Sequence, residues 1–156
     1  MEQHYALHNM EDMKPLAESV QNQLKSGDVV LLYGELGSGK TTFTQYLAQL
    51  LGITTQLTSP TFTITAEYAI PGHKDLKKLV HADLYRLSEQ AAAHDPAVQD
   101  VLEHAQEPGV ITIIEWADRI PALALAKVGR LWKLHFSHGA QQNERTVTIE
   151  EVSYAA

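Results

Sequence analysis

The sequence predicts an α/β fold: a mixed β-sheet flanked by helices, with a C-terminal β-hairpin. Three observations carry this. The runs DVVLLY (28–33) and VITIIEW (110–116) are apolar almost throughout, as strands buried on both faces are. Each is flanked by stretches with apolar residues at helical spacing. The remaining extended stretches pair around turn residues into two hairpins, over 61–85 and 130–152.

In chain order, Met13, Leu16, Ala17, Val20 and Leu24 mark one face of a helix over 13–25, and Ser26-Gly27 is its stop. The strand 28–33 leads into a glycine-rich loop. A helix follows from Lys40 to Leu51, with Gly52 as its C-terminal cap. TFTITAEY (61–68) alternates, placing Phe62, Ile64, Ala66 and Tyr68 on one face and Thr61, Thr63, Thr65 and Glu67 on the other. IPGHKD (70–75) is turn chemistry, and KLVHADLY (78–85) returns as the partner strand. Residues 87–107 read as helix interrupted at His94-Asp95-Pro96, because proline lacks the N–H a helix interior needs. The second buried strand ends at Glu115-Trp116, and a short helical piece after it is broken by Pro121. RLWKLHFS (130–137) and RTVTIEEV (145–152) form the last hairpin. No repeat, low-complexity segment or linker interrupts the 156 residues, so a single domain over 1–156 is expected.

Composition narrows the function. Twelve Lys and Arg stand against 19 Asp and Glu, a formal charge of −7. That argues against a long nucleic-acid footprint, which needs clustered cations. The lack of cysteine excludes disulfides and thiolate zinc sites. MEQHYALHNMEDM has neither the basic region nor the apolar run of a signal peptide, and no stretch approaches the length of a membrane span. The expected compartment is the cytoplasm.

The chemistry begins at Gly34-Glu35-Leu36-Gly37-Ser38-Gly39-Lys40-Thr41, which fits G-x-x-x-x-G-K-[ST] between a predicted strand and a predicted helix. Glycines let such a loop curl so that successive backbone N–H groups face an anion, and the helix N-terminus adds partial positive charge. The nucleotide-binding stretch is therefore Glu35, Leu36, Gly37, Ser38, Gly39, Lys40, Thr41 and Thr42, with no side-chain role given to Glu35 or Leu36. Lys40 is placed to reach the β- and γ-phosphates, and the Thr41 hydroxyl to ligate Mg²⁺. A guanine-reading N-K-x-D sequence is absent, which favours ATP over GTP.

Phosphoryl transfer also needs a second metal-holding group and one that orients the attacking oxygen. Glu115 ends a buried strand, where ligands of open α/β sheets sit, and is the expected group to orient or deprotonate water. A solvated strand-end glutamate is the plainer reading. His81, Asp83 and Tyr85 share one strand face, with Ala82 and Leu84 on the other. A His-x-Asp pair can bind a transition metal, but the sequence offers no third ligand. Asp83 is read instead as a Mg²⁺ ligand acting through water, in a metal group with Thr41 and Glu115. His81 stands open between a structural and a functional histidine. Thr61, in SPTF, lies twenty residues after Thr41, and in small switch NTPases a threonine in a comparable connector closes over Mg²⁺ and the γ-phosphate. Ser59 shares that connector, Pro60 stiffens it, and a strand-entry turn is the alternative. Arg86 and Arg119 are read either as charge stabilisers or as members of ion pairs. Trp116, next to Glu115 on a strand, is expected to face the opposite way into core packing.

GELGSGKTT, SPTF, HADLYR and IEWADRI, in this order and at these distances, resemble the TsaE family, also called YjeE, and the likeness runs from the first helix to the last hairpin. The phosphate loop alone is common to a vast superfamily; the other three elements are far more specific. The resemblance implies a P-loop NTPase fold and an ATPase, poorly active alone, in tRNA threonylcarbamoyladenosine synthesis. It implies a partner, the two-subunit TsaB–TsaD threonylcarbamoyl-transferase, which the ATPase resets between turnovers. The tRNA is reached indirectly, through that complex. By motif it assigns Lys40 and Thr41 to phosphate and Mg²⁺, Asp83 to Mg²⁺, Glu115 to the water, and Thr61 to a switch-like segment. SEQAAAHDPAVQDVLEHAQEPG departs from the family pattern, being longer and without a mid-segment glycine, and Asp118 stands where Glu is common. Self-association is left open. The rival readings are a small-molecule kinase and a nucleotide-dependent binding module. Against the kinase, only Arg86, Arg119, Arg130 and Arg145 are present, unclustered and without a lid insertion.

Overall fold

The two apolar runs become adjacent parallel strands at the centre of a seven-stranded sheet. The computed structural model describes residues 2–55, 57, 64–125 and 128–153. In chain order the elements are β1 (Glu2–Leu7), α1 (Met13–Gln21), β2 (Val29–Tyr33), α2 (Lys40–Leu50), β3 (Thr65–Ala69), β4 (Lys78–Asp83), α3 (Glu89–His94), α4 (Pro96–His104), β5 (Val110–Glu115), α5 (Ala122–Leu125), β6 (Arg130–His138) and β7 (Arg145–Ser153). Short 3-10 turns span Met10–Asp12 and Ala117–Arg119. Strand order across the sheet is β1-β7-β6-β2-β5-β4-β3. The inner four strands, β6, β2, β5 and β4, run parallel, and β3, β7 and β1 are added antiparallel at the edges.

The two-residue pleat period sorts side chains between two cores. On one face Val30 and Leu32, Ile111 and Ile113, Leu79, and Trp132, Leu134 and Phe136 meet Leu16, Val20, Phe43 and Leu47 of α1 and α2. On the other, Val29, Leu31, Val80, Ala82 and Ile114 meet Val98, Val101 and Ala105 from α4 and its C-terminal end. Continuous apolar sequence in β2 and β5 follows from burial on both sides. α1 buries Met13, Leu16, Ala17 and Val20, the expected stripe, and ends at Gln21, short of the expected Ser26-Gly27 stop.

Local chemistry sets the breaks. Asp95 interrupts the 87–107 stretch as an N-cap: its Oδ1 accepts from Ala97 N at 2.8 Å and Val98 N at 3.4 Å, and Pro96 opens α4. Ser88 Oγ caps α3 by accepting from Ala91 N at 3.1 Å. At the sheet's far end, Asp28 is buried and accepts from Arg130 Nε at 2.9 Å, Arg130 Nη2 at 2.6 Å, Trp132 Nε1 at 3.1 Å and Lys25 N at 2.9 Å. It ties the start of β2 to the start of β6.

Sequence patterning assigned no element to residues 2–7. The structure makes them β1, paired with β7 from Glu2↔Glu150 to Leu7↔Arg145. Only Leu7 is buried there, so the strand is held by its backbone ladder and carries little apolar signal. No helix among the described residues is long and apolar enough to cross a membrane.

Candidate functional site

The loop between β2 and α2 turns sharply because glycines stand where other residues would not fit. Gly34 has φ 146°, and a Cβ there would lie 2.7 Å from both Phe136 O and Ser38 Oγ. Gly39 caps α2 at φ 112°, where a Cβ would lie 2.6 Å from Met13 Cε. The helix starts at once, with Phe43 N donating to Gly39 O at 2.9 Å. Ser38 is buried, and its Oγ has no hydrogen-bond partner. Arg145, from the start of β7, donates to Gly37 O at 3.1 and 3.3 Å and braces the loop from outside.

Lys40 is buried. Its Nζ donates to Gly34 O and to Glu35 O, the latter at 3.2 Å, and lies 3.9 Å from the centre of the Trp116 ring. Burial pulls its pKa below the ordinary lysine value, and Glu115, Asp83 and Asp118 pull part of the way back. The ammonium therefore sits in the combined field of three carboxylates.

Those carboxylates come from separate elements. Glu115 closes β5 and Asp83 closes β4, opposite one another in the parallel ladder. Glu115 is buried, and its Oε1 accepts from Thr41 Oγ1 at 3.1 Å across the gap to α2. Its Oε2 lies 2.6 Å from His81 Nε2. Asp83 is half-buried and its Oδ1 accepts from Tyr85 N at 3.0 Å. Lys40, Thr41, Asp83 and Glu115 thus gather at the C-terminal ends of the parallel strands. Along the loop, Glu35, Leu36 and Gly37 are exposed, Ser38 and Gly39 buried, and Thr42 half-buried. Thr61, with Ser59 and Pro60, lies outside the described residues.

Trp116 differs from the expectation. It does not continue the strand with its ring turned away. It adopts φ 57° and ψ 45°, the left-handed region, as the chain leaves β5 for the 3-10 turn. That departure cancels the alternation rule and brings its half-buried ring to Lys40, with Tyr85 5.1 Å away, although it still packs at the edge of the second core. Arg119 joins the same cluster, its guanidinium carbon 5.4 Å from the ring centre and its buried Nε without a hydrogen-bond partner. Arg86 is exposed just past β4. Sequence reasoning missed the placement of Trp116 and the brace from Arg145, since no local pattern announces a left-handed tryptophan or a contact 108 residues away.

A glycine loop that leads a buried parallel strand into a helix, with an orphaned serine hydroxyl within it and a lysine and carboxylates gathered at its mouth, defines a P-loop NTPase-type α/β protein. Comparison with known proteins narrows the class. The family model described as "Threonylcarbamoyl adenosine biosynthesis protein TsaE" matches residues 7–147, and the chain belongs to this family. It is 38% identical over 112 residues to the tRNA threonylcarbamoyladenosine biosynthesis protein TsaE of Bacillus subtilis, covering 72% of this chain and 65% of that protein. It is 39% identical over 106 residues to the protein of the same name from Synechocystis, covering 68% and 64%. The chain therefore spans slightly less than two thirds of the length of these curated relatives. The crystal structure of Bacillus subtilis YdiB superposes with a TM-score of 0.68 at 27% identity, covering 98% of this chain and 86% of that one.

Proposed function

We propose that this chain binds and hydrolyses ATP with Mg²⁺ and does so in service of tRNA threonylcarbamoyladenosine formation, acting on a TsaB–TsaD-type threonylcarbamoyl-transferase. The observation that carries the reading is the buried carboxylate of Glu115, hydrogen-bonded to the first-turn hydroxyl of Thr41 at the mouth of a glycine phosphate loop. The backbone N–H groups of 34–41 and the N-terminus of α2 favour anionic oxygens. Lys40 leaves the Gly34 and Glu35 carbonyls to meet them. Thr41, Asp83 and Glu115 would hold Mg²⁺, directly or through water, and the ion would there offset charge on the phosphates. Glu115 also orients the attacking water. Trp116 and Tyr85 wall the mouth. A chain of net charge −7 leaves the tRNA to its partner.

The test uses the full chain with a purified transferase pair, ATP and unmodified tRNA. Glu115→Ala is expected to retain ATP binding, to lose hydrolysis by about 10²–10⁴-fold, and to stop modification after the first turnover. Continued multiple turnover by that variant refutes the proposal. So does a chain that transfers phosphate to a metabolite instead of water.

A further inference from the structure

Resting on this hydrolytic reading, we propose that His81 is the positioning residue that restricts Glu115 to one working oxygen, Oε1. A carboxylate has two oxygens, and its terminal torsion is soft, so an unrestrained Glu115 presents either one. Here the two are distinguished by their partners. Oε1 faces α2 and accepts from Thr41 Oγ1 at 3.1 Å. Oε2 faces β4 and lies 2.6 Å from His81 Nε2, with side-chain exposures of only 1% for His81 and 3% for Glu115. His81 sits opposite Ile113 in the ladder, one diagonal step from Glu115 on the same face of the sheet, so the contact is built into the register.

The other imidazole nitrogen decides the direction of the bond. His81 Nδ1 is buried and has no hydrogen-bond partner. A buried N–H without an acceptor is costlier than a bare lone pair, so the ring proton belongs on Nε2 and is donated to Oε2. Oε2 is thereby committed to the sheet. When the Thr41 hydroxyl turns away from Glu115, only Oε1 is released, and it already points at the mouth of the loop. His81 acts through Glu115 and touches no reacting atom.

The experiment has two arms. Imidazole ¹⁵N spectra of the nucleotide-free full chain, with the His81 signals identified by their loss in His81→Gln, are expected to show the Nε2–H form. A Nδ1–H form overturns the proposal whatever the activity. The second arm measures ATP turnover with the transferase pair, and affinity for a non-hydrolysable ATP analogue. His81→Asn, whose amide reaches only the Nδ1 position, is expected to lower kcat by about 10–100-fold with KM and affinity within threefold of wild type. His81→Gln, whose amide reaches the Nε2 position, is expected to recover most of the rate. In a Glu115→Ala background His81→Asn is expected to cost nothing further. A His81→Asn variant as fast as wild type overturns the proposal, as does one equally impaired in affinity, or a Gln variant as slow as Asn. If His81→Asn is inert while Glu115→Ala is dead, hydrolysis stands and only this inference falls. A wild-type chain that hydrolyses nothing removes both.

Discussion

Lys40 is a cation whose burial disfavours its own charge. Its ammonium is buried against two backbone carbonyls and an indole face, and the desolvation outweighs the pull of Glu115, Asp83 and Asp118, which is why its pKa is lowered. The charged form is then less comfortable in the fold than in the unfolded chain. Lys40→Met is therefore expected to leave the melting temperature of the nucleotide-free chain unchanged or raised, while under the proposed function ATP affinity falls by at least about 10²-fold. Differential scanning calorimetry and a binding titration check the two halves separately. A large drop in melting temperature would mean that the carbonyl contacts outweigh the desolvation. The pairing of opposite outcomes separates a residue kept for ligand from one kept for folding.

At the scale of elements, the sheet is tied together at the end opposite the glycine loop. Asp28 holds Arg130 and Trp132 at the N-terminal ends of β2 and β6, away from the loop. Asp28→Ala leaves a guanidinium and an indole N–H without their acceptor, and is expected to cost about 3–5 kcal/mol in a denaturant titration, with ATP affinity unchanged once folded. Unchanged stability would show that Arg130 finds enough in Glu151 and the Gln23 carbonyl. At the C-terminal end of α4, His104 Nδ1 donates to Asp100 O at 2.9 Å, and the Asp100 carboxylate lies close by. The carbonyl bond first, then the charges of Asp100, Glu107 and Glu103, raise its pKa above the ordinary histidine value of 6.5. The stabilisation is complete below 6.5 and fades as pH rises through the raised value. NMR titration is expected to place the His104 midpoint above 6.5, and a midpoint at or below 6.5 would remove the helix-end interaction.

For the molecule as a whole, the −7 charge bears on association. Under the proposed function, a basic groove on the transferase would make binding of this chain salt-sensitive, and the complex is expected to loosen severalfold between about 50 and 300 mM salt. Affinity indifferent to ionic strength, measured by titration calorimetry, would place the contact in apolar surface instead; Leu36 and Leu123, 72% and 85% exposed, are the residues to examine then.

Much of this was legible in order along the chain. The glycine loop, the double-sided burial of VVLLY and VITIIE, the break at His94-Asp95-Pro96 and the pairings of β3 with β4 and β6 with β7 follow from local rules of period, capping and turn chemistry, residues 61–63 of the expected first hairpin lying outside the described residues. β1 was not, because an edge strand held by backbone pairing leaves polar side chains in solvent. Trp116 was not, because alternation holds only while the backbone stays extended, and it turns left-handed one residue past β5.

By itself the sequence determined which residue types were available and where the glycine turn between β2 and α2 falls, since backbone N–H geometry and glycine tolerance are local properties. It also placed Glu115 at a strand end, whereas β4 stops at Asp83, inside the expected 78–85 strand, and leaves Tyr85 outside it. Only the tertiary structure decided that Thr41, His81 and Glu115 form one hydrogen-bonded chain, and which oxygen meets which partner. Glu115 lies 34 positions from His81 and 74 from Thr41 along the chain. Parallel register and the seating of α2 on the sheet bring them together, and that depends on how the whole core packs.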